Sequence, residues 1–174
     1  MLKLSLAELE RSGEVRLREE VPADDPLLQE LNLALSAPVR LDLVAREVGD
    51  SVLVRGTIHA SARQECRRCL TPVEQEAHAE VDFLFAPPEE AGDDADGEVY
   101  PLPERGNELD LSAPVREALV LHLPEYVLCR EDCRGLCAGC GVALDDLPDD
   151  HDHTITDPRW AALAERFGGS PEKE

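Results

Sequence analysis

The sequence predicts an α+β protein, an antiparallel β-meander or partly open barrel with short helices and a cysteine-rich C-terminal region. Three observations point there. Residues 37–86 alternate apolar and polar side chains in three runs, the pattern of strands with one buried face. Two later stretches repeat apolar residues at helical spacing, and every cysteine of the chain lies in a close pair.

Taken in order, residues 1–6 alternate and predict an edge strand. Residues 24–35 predict a short helix with Asp24 or Asp25 as cap and Pro26 in its first turn. The runs VRLDLVAREV, SVLVRGTIHASARQEC and PVEQEAHAEVDFLF predict the three strands of the meander. Val39, Leu41 and Leu43 share one face; Val52, Val54, Thr57 and His59 continue it less regularly. Gly49-Asp50 is a two-residue hairpin turn, and CRRCLTP forms the tip of the second hairpin.

Residues 87–108 are rich in proline, glycine and acid, which predicts a solvated loop or disordered linker. Ser112 is the expected N-cap and Pro124 the expected stop of a helix through APVREALVLHL. A last helix is expected after Asp157-Pro158, with Trp160, Leu163, Ala164 and Phe167 on one face and Gly168 as terminator. A chain of 174 residues suits one domain. Its parts are an N-terminal strand and helix (1–36), antiparallel strands (37–86), an acidic loop (87–108), and a helix, cysteine-rich segment and C-terminal helix (109–174).

The formal net charge is −21, from 38 acidic and 17 basic residues. That field repels phosphate backbones and favours a basic protein as partner, so any nucleic-acid contact has to be local. The first residues hold no apolar export segment and no later stretch is long and apolar enough to span a membrane. The expectation is a cytoplasmic protein in a reducing compartment, where disulfides seldom persist.

The six cysteines fall as Cys66-x2-Cys69, Cys129-x3-Cys133 and Cys137-x2-Cys140, followed by His151-x-His153. Eight such ligands are the number two tetrahedral zinc sites require. A CxxC turn lets two thiolates converge on one ion while backbone N–H groups point at the sulfurs. Gly141 supplies the positive-φ position of such a knuckle, so the predicted fold ends in a zinc-knuckle C-terminal region. Two groupings are open. All four cysteines from 129 to 140 on one ion would leave Cys66, Cys69, His151 and His153 for the other. The preferred grouping joins Cys66 and Cys69 to Cys129 and Cys133, and Cys137 and Cys140 to His151 and His153, because each ion then takes adjacent pairs in chain order. Asp149, Asp150 and Asp152 either orient the imidazoles as hydrogen-bond acceptors or are simply solvated. His59, His78 and His122 have no partner at ligand spacing and are expected on ordinary surfaces.

Sites with four protein ligands leave no open position for an activated water, so the expected ions are structural. The sequence also lacks G-x-S-x-G, P-loop and G-x-G-x-x-G motifs. Thiol redox work is disfavoured because Cys66 and Cys69 end a strand, whereas thioredoxin-like pairs begin a helix. Arg63, Arg67, Arg68, Arg130 and Arg134 flank the first proposed site. They either compensate the −2 charge of a four-thiolate zinc centre or form a small contact for RNA phosphate or an acidic partner.

ECRRCLTPV, LPEYVLCREDCRGLCAGCGVAL and DPRWAALAERF together resemble the YceD family of bacterial and plastid proteins, associated with accumulation of large-subunit ribosomal RNA. The resemblance covers about residues 37–167. Many members carry Cys-x-Cys where this chain has His151-Asp-His153, a conservative exchange if these positions bind zinc. Some members lack the GLCxxCG segment but keep ligand-capable residues at positions resembling 66, 69, 129 and 133, which favours that quartet as an independent site. The resemblance implies a non-enzymatic role in ribosome biogenesis, acting on large-subunit RNA or a ribosomal protein. A gene for a small basic ribosomal protein commonly neighbours family genes, which fits an acidic protein. The competing readings are a thiol redox or RNA-processing enzyme, and a simple RNA-binding zinc protein.

Overall fold

A computed structural model describes residues 2–29, 31, 33–89, 99–151, 153, 158–160, 163 and 166. Its centre is an open five-stranded sheet, ordered β2-β3-β4-β5-β6. These strands are β2 (Glu14–Val21), β3 (Val39–Val48), β4 (Ser51–Glu65), β5 (Pro72–Ala86) and β6 (Val99–Pro101). The first four pair antiparallel and β6 joins β5 in parallel. The sheet does not close into a barrel, because its outer strands β2 and β6 are not neighbours. A separate two-stranded ribbon pairs β1 (Lys3–Ser5) with β7 (Glu108–Asp110).

The three-strand meander follows the alternation in the sequence. Val39, Leu41, Leu43 and Ala45 of β3 are buried, as are Val52, Val54, Ile58, Ala60 and Ala62 of β4 and Ala77, Ala79, Val81, Phe83 and Phe85 of β5. Thr57 and His59 therefore face the other side, and the irregularity read there has a cause. Gly56 occupies the inward position between Val54 and Ile58 and adds no side chain to the pattern. Its missing Cβ is needed: one built there would lie 2.0 Å from the carbonyl oxygen of Asp42 on β3. Gly49, at φ 64°, turns the hairpin that pairs Val48 with Ser51.

Helices cover the buried face. α1 (Leu6–Ser12) follows β1, with the Ser5 hydroxyl accepting the Glu8 N–H and Gly13 ending it in the left-handed region at φ 72°. Neither α1 nor β2 is among the elements the sequence predicts. The Ser5-x-x-Glu8 spacing is a capping-box signal, and Val15, Leu17 and Val21 alternate, but dense charge masked both patterns. α2 (Pro26–Gln29) is shorter than expected; the Asp25 carboxylate accepts the Leu27 N–H at 2.8 Å and caps it. α3 (Ser112–His122) buries Val115, Ala118 and Leu119 against β4 and β5. Ser112 is not its cap: the helix starts one residue earlier than a Ser112 cap allows, and Asp110 instead accepts the Ser112 N–H at 2.9 Å.

The small side chains Ala62 and Ala77 pack with Leu123, so the end of α3 lies over the far end of the β4–β5 hairpin. That contact directs the following chain toward the hairpin tip. In the segment read as an acidic loop, residues 99–101 and 108 are strand, while 90–98 lie outside the described residues. Pro158–Trp160 forms a single 3-10 turn with Trp160 exposed; Ala164, Phe167 and Gly168 lie outside the described residues. Among the described residues, no helix is long and apolar enough to cross a membrane.

Candidate metal centres

Two cysteine turns have the same backbone design. In the first, between β4 and β5, the Cys66 N–H donates to the Thr71 carbonyl and the Leu70 N–H donates to the Cys66 carbonyl, both at 2.9 Å. In the second, the Cys137 N–H donates to the Val142 carbonyl and the Gly141 N–H to the Cys137 carbonyl, both at 2.8 Å. Each turn needs a left-handed residue after its second cysteine. Gly141 supplies it at φ 72°, but the first turn uses Leu70, at φ 60° and 56% exposed. A leucine in this region is strained, and no residue pattern signals it.

The remaining donors arrive from separate directions. The chain leaving α3 docks on the first turn through the Arg67 N–H, which donates to the Val127 carbonyl at 2.9 Å. This brings Cys129 and Cys133 opposite Cys66 and Cys69. The Cys66 and Cys133 sulfurs are 3.9 Å apart and those of Cys69 and Cys129 3.5 Å. A disulfide requires about 2.0 Å, and all six cysteines are free. At the second turn, Cys140 Sγ lies 3.6 Å from His151 Nε2, and the His151 and His153 rings meet edge to face with centroids 4.6 Å apart.

Cys66, Cys69, Cys129 and Cys133 thus form one four-donor set, and Cys137, Cys140, His151 and His153 another, with donor atoms in each within 4.8 Å of one another. Each set could hold one metal ion. The geometry separates the two cysteine-rich groupings left open by spacing, since all four cysteines from 129 to 140 do not converge on one point.

The link between the sets is clamped. The Arg68 carbonyl accepts the Leu136 N–H at 3.0 Å, and the Gly135 carbonyl accepts the Leu144 N–H at 2.9 Å. Gly135, at φ 84°, lies against Arg68, and a Cβ there would be 3.0 Å from that carbonyl oxygen. Gly139 has a different role. A Cβ on it would fall 2.4 Å from the His153 Cβ, so Gly139→Ala should push His153 out of the second set and leave the first intact. Metal content by mass spectrometry is expected to fall at the second set alone.

Electrostatics divide the thiols into two kinds. Burial pushes the Cys66 thiol up, but N–H groups of Cys129, Cys69 and Arg68 outweigh it and bring it down to about 6. At Cys137 the N–H groups of Cys140 and Gly139 prevail over burial and lower it to about 7. Cys69 is lowered by the Thr71 hydroxyl and N–H. Cys129 is pushed up to about 12, first by its contact with the Cys69 sulfur and then by burial, and Cys133 is raised chiefly by burial. A cation entering the first set must therefore displace protons from Cys129 and Cys133.

A family model described as the large ribosomal RNA subunit accumulation protein YceD matches residues 54–165, spanning both donor sets. The chain belongs to the YceD family. The uncharacterized protein Rv2926c of Mycobacterium tuberculosis is 41% identical over 134 residues, covering 77% of this chain and 63% of its own length. The uncharacterized protein ML1660 of Mycobacterium leprae is 39% identical over 134 residues, covering 74% of this chain and 59% of its own. The chain thus spans less than two thirds of the length of these relatives. No solved structure matches it.

In this YceD-family chain, the arginines beside the first set all have internal partners. Arg63 pairs with Glu74 at 3.0 Å, Arg134 with Asp149 at 3.1 Å, and Arg130 with Asp132 and Asp145. Arg67 pairs with Glu125 at 3.6 Å and lies over the Tyr126 ring at 4.8 Å. Arg68 donates to the carbonyls of Cys133 at 2.8 Å and Glu131 at 3.2 Å, tying the cysteine segment to the hairpin tip. Asp149 is engaged by Arg134, and Asp152 lies outside the described residues.

Sequence spacing also hid a histidine pair. His59 and His78 are direct partners across β4 and β5, with ring nitrogens 3.2 Å apart. Only register brings them together, and neither belongs to a larger donor group among the described residues. His122 bonds through Nδ1 to the Ala118 carbonyl at 2.8 Å.

Proposed function

We propose that this protein is a non-enzymatic, zinc-stapled factor of ribosome biogenesis that supports accumulation of large-subunit ribosomal RNA. Two structural zinc ions, one per donor set, hold its C-terminal segment on the β4–β5 hairpin. The observation that carries the zinc assignment is the convergence of two four-donor sets in a family named for ribosomal RNA accumulation. Tetrahedral zinc with thiolates at about 2.3 Å places sulfurs about 3.8 Å apart, and the separations of 3.9 and 3.5 Å bracket that value. Four protein ligands saturate each ion, so the ions supply rigidity and no activated water. Cys66, Cys69, Cys129 and Cys133 hold the first ion; Cys137, Cys140, His151 and His153 hold the second.

The chain acts in this reading as one YceD-like unit in the cytoplasm, and its partner is a basic ribosomal protein. The −21 charge favours such a partner. An RNA contact through Arg63, Arg67, Arg68, Arg130 and Arg134 is less favoured, because each already serves an internal carboxylate or carbonyl. Depletion is expected to lower the large-subunit peak and accumulate its precursors in sucrose gradients, and the tagged protein is expected to copurify with them. An unchanged ribosome profile on depletion would refute the reading.

A further inference from the structure

Among the described residues, strand β5 is paired along one side only for most of its length. β4 covers one edge from Pro72 to Phe85, whereas β6 covers the other only at Leu84–Ala86. Among the described residues, no backbone bond or bridge closes that second edge from Pro72 to Phe83. Every second residue of an open edge presents an N–H and a C=O to a further strand. We infer that this edge docks a basic, extended segment of a protein partner, which adds to the sheet beside β5.

The side chains select the occupant. On the exposed face β5 carries Glu74, Glu76, His78, Glu80 and Asp82 at alternate positions, about 6.8 Å apart along a strand. Glu74 and Asp82 pair with Arg63 and Arg55 of β4, but Glu76 and Glu80 have no cation partner among the described residues. A second copy of β5 would set carboxylate against carboxylate, which opposes self-pairing. A strand with lysine or arginine at alternate positions would meet Glu76 and Glu80 instead. The opposite edge of the sheet, β2, carries Arg16 and Arg18 beside Asp42 and lacks this preference.

The other face of an added strand also has a seat. Between the β5 edge and α3 runs a groove of about 840 Å³, lined by Val81, Phe83, Tyr100, Pro114, Ala118 and Leu121. Leu121 is 79% exposed and Val120 beside it is exposed too. The preferred ligand is therefore an amphipathic strand, basic toward Glu76 and Glu80 and apolar toward α3. This is the edge-addition mode of peptide recognition, in which main-chain bonds give affinity and alternate side chains give specificity.

The inference rests on the proposed binding of a basic protein and locates it. The probe is an acetylated, amidated octapeptide of alternating lysine and valine, added to the full chain. Hydrogen exchange of alternate β5 amides between Glu74 and Asp82 is expected to slow at least tenfold. The paired changes Glu76→Lys and Glu80→Lys, both at exposed positions, are expected to weaken binding at least tenfold. The same peptide N-methylated at alternate residues should not bind. Equal binding of the N-methylated peptide, unchanged β5 exchange, or β5 edge amides already protected in the free protein would each overturn the edge assignment. Because the ribosome profile is read separately, a lost large-subunit peak alongside any of these results would refute the edge and leave the proposed function standing.

Discussion

Cys66→Ser is expected to drop the zinc content from two ions to one and to destabilise the protein by more than about 5 kcal/mol. Cys66 is fully buried where β4 ends, and its partners Cys129 and Cys133 lie more than sixty residues further along. In the proposed function the first ion is the long-range tie between the sheet and the C-terminal segment, and a serine hydroxyl is a poor substitute for a thiolate on zinc. Tryptic cleavage after Arg130 and Arg134 should accelerate, because the segment no longer has a metal anchoring it to the hairpin tip. His153→Ala should also lower the content to one ion, with a smaller loss of stability, since its set closes a short local loop. Retention of two ions in either variant would refute the grouping of ligands.

Gly56→Ala is expected to destabilise the protein by about 3 kcal/mol, which for a chain of this size lowers the melting temperature by roughly 10 °C. The added methyl would sit 2.0 Å from the Asp42 carbonyl oxygen and 2.8 Å from the Leu43 Cα, both backbone atoms that no rotamer change can move aside. Relief requires β3 and β4 to separate where Leu43 faces Gly56. Zinc content of the folded variant should remain two, since this pair lies far along β4 from the hairpin tip. Thermal unfolding and metal analysis on the same sample separate the two contributions; an unaltered melting temperature would contradict the close approach.

The meander was readable because a sheet with one face buried imposes a period of two on its sequence. The two strands flanking each predicted turn appear where the alternation places them. α1 and β2 escaped because Glu and Arg occupy so many of their positions that one or two apolar residues per face carried the whole signal. The parallel partner β6 is only three residues long and lies beyond an acidic, proline-rich stretch, so composition favoured a loop. At the candidate metal centres, donor type and count were legible from cysteine spacing. Leu70 in a left-handed turn, Gly139 beneath His153 and the carbonyl-binding role of Arg68 were not, since each depends on a neighbour brought in by folding.

By itself, the sequence determined the soft donor pairs, the meander, the acidic charge and the family, because these rest on residue identity and local period. Tertiary structure alone decided which pairs share a donor set, that the flanking arginines are internally engaged, and that among the described residues one side of β5 is open from Pro72 to Phe83. Those facts concern which segments meet in space. A charge or a thiol is written in the chain, but its partner is chosen by the path of the backbone: α3 packing over Ala62 and Ala77 carries Cys129 and Cys133 to the hairpin tip, while β6 meets only the last three residues of β5.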